Sequence, residues 1–322
     1  MKIKIPIRDI LKNTDAVLLK GNKNFIIDSI GSPQKNYPHS IVLISSASLL
    51  SKSNKFHTKT CITSKKLYTK ALNFENILVS EDPYLSFAYL LQYIKNLEKG
   101  NNNLTIKSVN NYSLGRNCKI GNNVIFGNNC VIEDNVQIGD NTEFEHNVVV
   151  HKNTIIGNNC SIMSGAIIGS QGFGFVPKDD SWVPIYHIGN VLIGDNVYIG
   201  ANTCIDKATI DSTIIGNNVI VDNSVHIAHN VSIGANTAIA AKAGIAGSTT
   251  IGKNCKIGGM SGIFGHLNIT DNVTITPKSN VYRDIKTPGT YSSLFPLMNH
   301  FLWKKVSILV SKLDKMYLLL KK

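Results

Sequence analysis

The chain has 322 residues, 43% of them hydrophobic, which is enough for more than one domain and a sizeable core. Its net charge of +12 is uneven: residues 1–100 carry 15 basic and 7 acidic side chains, 101–277 carry 9 and 12, and 278–322 carry 9 and 2. No run of about 18 apolar residues is present to span a bilayer, and no helix-turn-helix, zinc or RNP-type motif points to nucleic acid, so basic ends on a near-neutral middle suggest an acidic partner or an anionic surface.

The opening MKIKIPIRDILKNTD is interrupted by Pro6, Arg8 and Asp9, unlike a secretory signal, and a cytoplasmic protein is expected. Residues 1–103 read as a small α/β domain of nucleotide-binding type. Short β-type runs at Phe25-Ile26-Ile27 and Ile41-Val42-Leu43-Ile44 precede a helical pattern that Asp82 can cap, with Pro83 at its first position. A linker is expected at Lys99-Gly100-Asn101-Asn102-Asn103.

Residues 104–290 are dominated by a six-residue repeat. Large apolar residues recur at every sixth position from Leu114 through Ile120, Phe126 and Ile132 to Ile168, resume at Ile193, Ile199 and Ile205, and after four extra residues run from Ile215 to Val281. Short strands fit that spacing and helices do not. Gly commonly follows the apolar residue (Gly121, Gly139, Gly157) and Asn stands three after it (Asn123, Asn141, Asn159), so both are expected to supply sharp corners with positive φ. Three hexads would close one coil of about 18 residues, and stacked coils would bury a core that no hexad can bury alone. The fifth slot should also point inward. It holds small residues such as Val136, Thr142 and Thr237, and four of the six cysteines (Cys118, Cys130, Cys160, Cys255), which are therefore expected to be packing residues without disulfide or metal.

The register breaks between Gly169 and Ile193, across GSQGFGF and a loop through Trp182 and His187, and again near Asp211 to Ile214. Solenoid insertions tend to lie on the binding face. Residues 291–322 carry helical spacing (Phe301, Leu302, Val306, Leu309, Val310, Leu313) with Lys304, Lys305 and Lys312 between, an amphipathic basic helical region suited to packing on a neighbouring subunit.

Residues 222–267 (DNSVHIAHNVSIGANTAIAAKAGIAGSTTIGKNCKIGGMSGIFGHL), together with GSQGFGF and IGANTCIDKATIDSTIIGNNV upstream, resemble the UDP-3-O-acylglucosamine N-acyltransferases of lipid A synthesis, within the hexapeptide-repeat acyltransferases. The resemblance implies a left-handed parallel β-helix, an all-β solenoid with a small α/β N-terminal domain and C-terminal helices, assembled as a homotrimer. It implies transfer of a 3-hydroxyacyl chain from acyl carrier protein, where phosphopantetheine carries the acyl group, to the 2-amino group of UDP-3-O-acylglucosamine, with no other cofactor. An ammonium cannot attack a thioester, so a base near neutral pKa is required. The family's I-A-H-N histidine carries over to His229, a supporting histidine to His266, and an oxyanion-hole amide to Gly247. Substrate contacts are expected at Gln171, Phe173, Phe175, Asn280 and Arg283, the last also facing the carrier protein. Repeat arithmetic puts His229 in an exposed corner and His266 on the same edge two coils on, about 10 Å away.

His146 and His151 have the H-x4-H spacing of a pair that binds zinc in β-helix carbonic anhydrases, but position 110 is Asn and no third ligand follows, so no metal is expected. Two motifs depart from the family. Its uracil-contacting Phe-Leu-x-Asn-Pro-x-Tyr aligns with Leu43-Ile44-Ser45-Ser46-Ala47-Ser48-Leu49, which lacks the aromatic, and its I-D-R-G is Ile205-Asp206-Lys207-Ala208. A related acyltransferase using acyl-CoA or another nucleotide sugar, or a non-catalytic scaffold, stays open on these departures.

Overall fold

Three long parallel sheets form the repeat region, two of nine strands and one of eight, each built from short strands that meet their neighbours one coil away. The register is that of an 18-residue coil: Val131 pairs with Val149 and Gln137 with Ile155. This is a parallel β-solenoid. The computed structural model describes residues 4–32, 36–50, 57–101, 111–293, 296–310, 312–313 and 317, and the chain divides into two compact units, Met1–Lys107 and Ser108–Lys322.

First-slot residues from Ile132 to Ile275 and fifth-slot residues such as Val136, Thr142 and Thr237 are buried in one continuous core. Cys130, Cys160 and Cys255 pack there, and burial pushes each thiol pKa up. Cys118 is half-buried against the same core. Leu114 and Ile120 are exposed, because their strands pair on one side only.

Asn and Gly divide the corner between them differently from the expectation that both adopt positive φ. The fourth-slot Asn residues do so, with Asn123, Asn141 and Asn159 at φ of 55–56°, and they form side-chain ladders such as Asn123 to Asn141 at 3.1 Å. The second-slot glycines Gly121, Gly139 and Gly157 do not, and Gly169, at the start of the long insertion, is the exception with φ 87°. A Cβ on Gly121 or Gly139 would lie 2.7 Å from backbone carbon of the next coil, so these positions stay bare to let coils stack closely.

Many corner amides are capped in one way. The third-slot N–H of one coil donates to the third-slot side chain of the next: Asn122 N–H to Asp140 Oδ1 at 2.6 Å, Lys253 N–H to Asp271 Oδ1 at 2.7 Å, and Asn128 N–H to His146 Nδ1 at 2.9 Å. His146 is thus a corner cap, while His151 faces Glu133 at 3.1 Å. The two histidines do not converge.

The first unit holds a five-stranded sheet in the order Val17–Lys20, Asn76–Ser80, Thr60–Ser64, Ser40–Ile44, Ser29–Ile30, parallel except for its first pair. Its helix Pro83–Asn101 is capped as expected, Asp82 Oδ1 accepting from the N–H groups of Tyr84 and Leu85, and it buries Leu90 and Ile94. That helix runs through Lys99, Gly100 and Asn101, where a linker was expected; Asn102 and Asn103 lie outside the described residues. The segment aligned with the uracil motif is the end of the strand Ser40–Ile44 and the short helix Ala47–Leu50. At the C-terminus, helix His300–Val310 has no buried residue, and most of the rest of the basic helical region lies outside the described residues. Among the described residues no helix is long and apolar enough to cross a membrane.

Candidate functional site

The site is built at one of the corners that lack such a cap. His229, Gly247 and Gly265 occupy the third slot of three successive coils, linked by Ser248 N–H to His229 O at 2.9 Å and His266 N–H to Gly247 O at 3.0 Å. Gly265 has no side chain, so among the described residues nothing caps the Gly247 N–H as Asp140 or Asp271 caps its neighbour. A bare corner amide results. A Cβ on Gly247 would lie 2.7 Å from both Cε1 and Nε2 of His229, which places the imidazole directly over this residue.

The tautomer of His229 follows from its neighbour. Asn230 Oδ1 accepts the N–H of Thr209 at 3.0 Å and Asn230 Nδ2 donates to Ile210 O at 2.8 Å, which fixes the amide's orientation. Its Oδ1 lies 3.1 Å from His229 Nδ1, so Nδ1 must carry the proton in the neutral ring. Nε2 is left with its lone pair, beside Gly247. Thr209 and Ile210 lie in the turn between the strands Cys204–Asp206 and Ser212–Ile215, which the four extra residues lengthen, and this turn holds Asn230.

His229 is half-buried, not exposed as corner arithmetic implied, because the longer insertion folds over it. The His187 ring lies edge-on to His229 with centroids 5.0 Å apart. His187 is 4% exposed, its Nδ1 lies 3.0 Å from both Ile185 O and Gln171 Nε2, and its Nε2 has no hydrogen-bond partner among the described residues. The glycines of GSQGFGF make room for it. A Cβ on Gly172 would fall 2.6 Å from His187 Nε2, and one on Gly174 would fall 2.9 Å from its Cε1. Burial, with His229 nearby as a lesser cause, lowers the His187 pKa below the ordinary imidazole value.

That shift has a sign that can be tested. A depressed folded-state pKa means the unfolded chain binds the proton first, so His187 contributes stability above its unfolded pKa, about 6.5, that is lost as pH falls toward the folded value. The difference in unfolding free energy between wild type and His187→Gln, measured by denaturant at a series of pH values, should shrink across that acidic window. A constant difference would show that His187 does not titrate differently on folding.

Of the residues singled out from sequence, the structure brings Gln171, Gly247 and His229 together. His266 sits on the same edge in the left-handed corner conformation, φ 60°, and is exposed. Phe173 and Phe175 lie on the loop that encloses His187, 5.2 Å apart, with Phe173 86% exposed. Asn280 and Arg283 are farther away: Asn280 is three coils along the sheet from His226, about 14 Å at the spacing of stacked strands. Sequence reading passed over His187 and Asn230. The adjacency of Asn230 to His229 was the available signal for one; His187 had none, because its register is lost inside the insertion.

Residues 112–152, 135–170 and 212–247 match the family described as bacterial transferase hexapeptide (six repeats), and 190–228 and 248–275 match the hexapeptide repeat of succinyl-transferase. Among solved structures, the UDP-N-acetylglucosamine O-acyltransferase of Moraxella catarrhalis is 28% identical with a TM-score of 0.51, over 57% of this chain and 70% of that one. The UDP-N-acetylglucosamine acyltransferase of Francisella novicida is 28% identical with a TM-score of 0.53, over 57% and 66%. LpxA of Acinetobacter baumannii is 26% identical with a TM-score of 0.52, over 57% and 70%. The repeat domain is thus a β-helix of hexapeptide repeats, similar to those of these acyltransferases.

Proposed function

We propose that the protein is an N-acyltransferase that moves a 3-hydroxyacyl chain from the phosphopantetheine thioester of acyl carrier protein to the 2-amino group of UDP-3-O-acylglucosamine, acting in the cytoplasm as a homotrimer. The observation that carries this reading is the locked His229 tautomer, with its Nε2 lone pair beside the uncapped Gly247 N–H. The 2-ammonium gives up one proton to solvent, and as the free amine attacks the thioester carbonyl Nε2 takes a second proton from that nitrogen. The carbonyl oxygen becomes an oxyanion that the Gly247 N–H can receive. Collapse breaks the C–S bond, and the departing pantetheine thiolate takes the proton from imidazolium, so amide and thiol leave with the base restored. His266 assists at the same edge, and Gln171, Phe173 and Phe175 line the approach. Asn280 and Arg283, with the basic C-terminal region, face substrate or the acidic carrier protein. No other cofactor takes part in this scheme.

A second reading has a specific observation behind it, since the similar solved structures include a UDP-N-acetylglucosamine O-acyltransferase. The two readings predict different bonds. Purified protein is incubated with 3-hydroxyacyl carrier protein and, separately, with UDP-3-O-acylglucosamine or UDP-N-acetylglucosamine; the products are identified by mass before and after mild alkali. An alkali-stable added acyl group on the first acceptor supports N-acylation. An alkali-labile ester on the second supports O-acylation and overturns the proposal, as does activity with acyl-CoA alone for the choice of donor.

A further inference from the structure

Outside this site, the two insertions leave a second group of chemistry-bearing side chains on the outer face of the β-helix. Cys204 and Asp206 are two apart on the strand Cys204–Asp206, so both leave the same face while Ile205 points into the core. His226 stands directly opposite Cys204 on the next strand. The register irregularity between Ile168 and Ser170 on the other side sets Ser170 against Asp206.

One donor atom from each of Cys204, Asp206 and His226 lies within 4.8 Å of the others. Asp206 Oδ2 is 3.4 Å from His226 Nε2, and Asp206 Oδ1 is 3.7 Å from Cys204 Sγ. A tetrahedral zinc-type ion with ordinary bond lengths has ligand-to-ligand edges of about 3.4–3.6 Å. The His226–Asp206 spacing matches such an edge, and Cys204 lies near it from the other carboxylate oxygen, which a carboxylate presenting both oxygens would turn toward the same ion. We propose that Cys204, Asp206 and His226 form a three-ligand site for a divalent cation of the zinc type, on the outer face of the solenoid.

The surroundings fit a metal site better than a simple ion pair. Asp206 is 4% exposed, and Ser170 Oγ donates to its Oδ1 at 2.6 Å while lying 3.1 Å from Cys204 Sγ, which orients the carboxylate from behind as outer-shell partners do. On the far side of His226 the paired residue is Gly244, where a Cβ would meet nothing within 4 Å. That opening leaves room for a fourth ligand, water or an exogenous donor. The thiolate favours zinc or cobalt over magnesium and calcium. Binding converts the Cys204 thiol to a metal thiolate and releases its proton to solvent. The site is independent of acyl transfer: its ligands stitch adjacent coils whichever group the enzyme transfers.

The test uses the full-length protein, stripped with chelator, dialysed and titrated with Co(II). A near-ultraviolet thiolate-to-cobalt charge-transfer band should grow to one equivalent per chain and be displaced by Zn(II). Cys204→Ser should remove the band. His226→Gln alters a side chain that is 53% exposed, so the fold is retained, and it should weaken binding at least about tenfold, within the range for loss of a metal-site partner. Absence of the band at micromolar cobalt, its survival in Cys204→Ser, or unchanged affinity in His226→Gln overturns the assignment, leaving a His226–Asp206 ion pair beside an ordinary thiol.

Discussion

Replacing His229 with alanine is expected to lower kcat by about 10²–10⁴-fold, the range for loss of a general base. The fold should persist, because the backbone bonds of this corner, Asn230 N–H to Thr213 Oγ1 and Ser248 N–H to His229 O, do not involve the imidazole. Asn230→Ala should reproduce part of the loss without removing the base. It frees the His229 ring to exchange tautomers and leaves Thr209 N–H and Ile210 O without their partners, so a fall of about 10–100-fold is expected, comparable with outer-shell partners of other functional histidines. Steady-state kinetics with a carrier-protein thioester would measure both. Activity of His229→Ala within a few-fold of wild type would remove the imidazole from the mechanism.

Gly247→Ala should cost about 10²-fold in kcat, the consequence of misplacing a reacting group by about 1 Å. The added Cβ would stand 2.7 Å from His229 Nε2 and Cε1, so the ring must move, and the methyl group also crowds the side on which an oxyanion would reach the amide. Gly247 is not among the positive-φ residues, so alanine brings no backbone strain and thermal stability should stay close to wild type. An unchanged kcat in a folded variant would mean that the base does not depend on the bare corner, and the scheme built on Gly247 would fail.

The solenoid was legible because one rule, an inward apolar residue at every sixth position, leaves its mark on the sequence from Leu114 to Ile168 without a slip and again on either side of the second insertion. What it did not convey was how Asn and Gly share the corner: both were expected to bend the chain, whereas Asn141 bends it and Gly139 makes room for the coil above. His229 was placed on the right edge, but its half-burial depends on His187, 42 residues earlier in an insertion without periodicity. The role of Asn230 depends on Thr209 and Ile210, which grip it from an earlier turn. The Cys204, Asp206 and His226 group escaped notice for a related reason. Cys204 and His226 lie 22 residues apart, a coil of 18 displaced by the four-residue insertion, so a search by histidine spacing passes over them.

The uncapped corner has a wider consequence. Every coil presents the same edge, and nearly any of them could expose an amide if the side chain of the coil above were absent. At Gly247 the opening is made by deletion, through the glycine at 265, and what singles out this storey among the open corners is the pairing of that amide with the His229 imidazole over it. Moving that pair by one coil would carry the amide about 4.8 Å along the axis while leaving the scaffold's internal packing unchanged. A solenoid of this kind can shift its chemistry relative to its ends in fixed steps, and the distance from reactive corner to either end becomes a ruler that substitutions at the edge alone can reset.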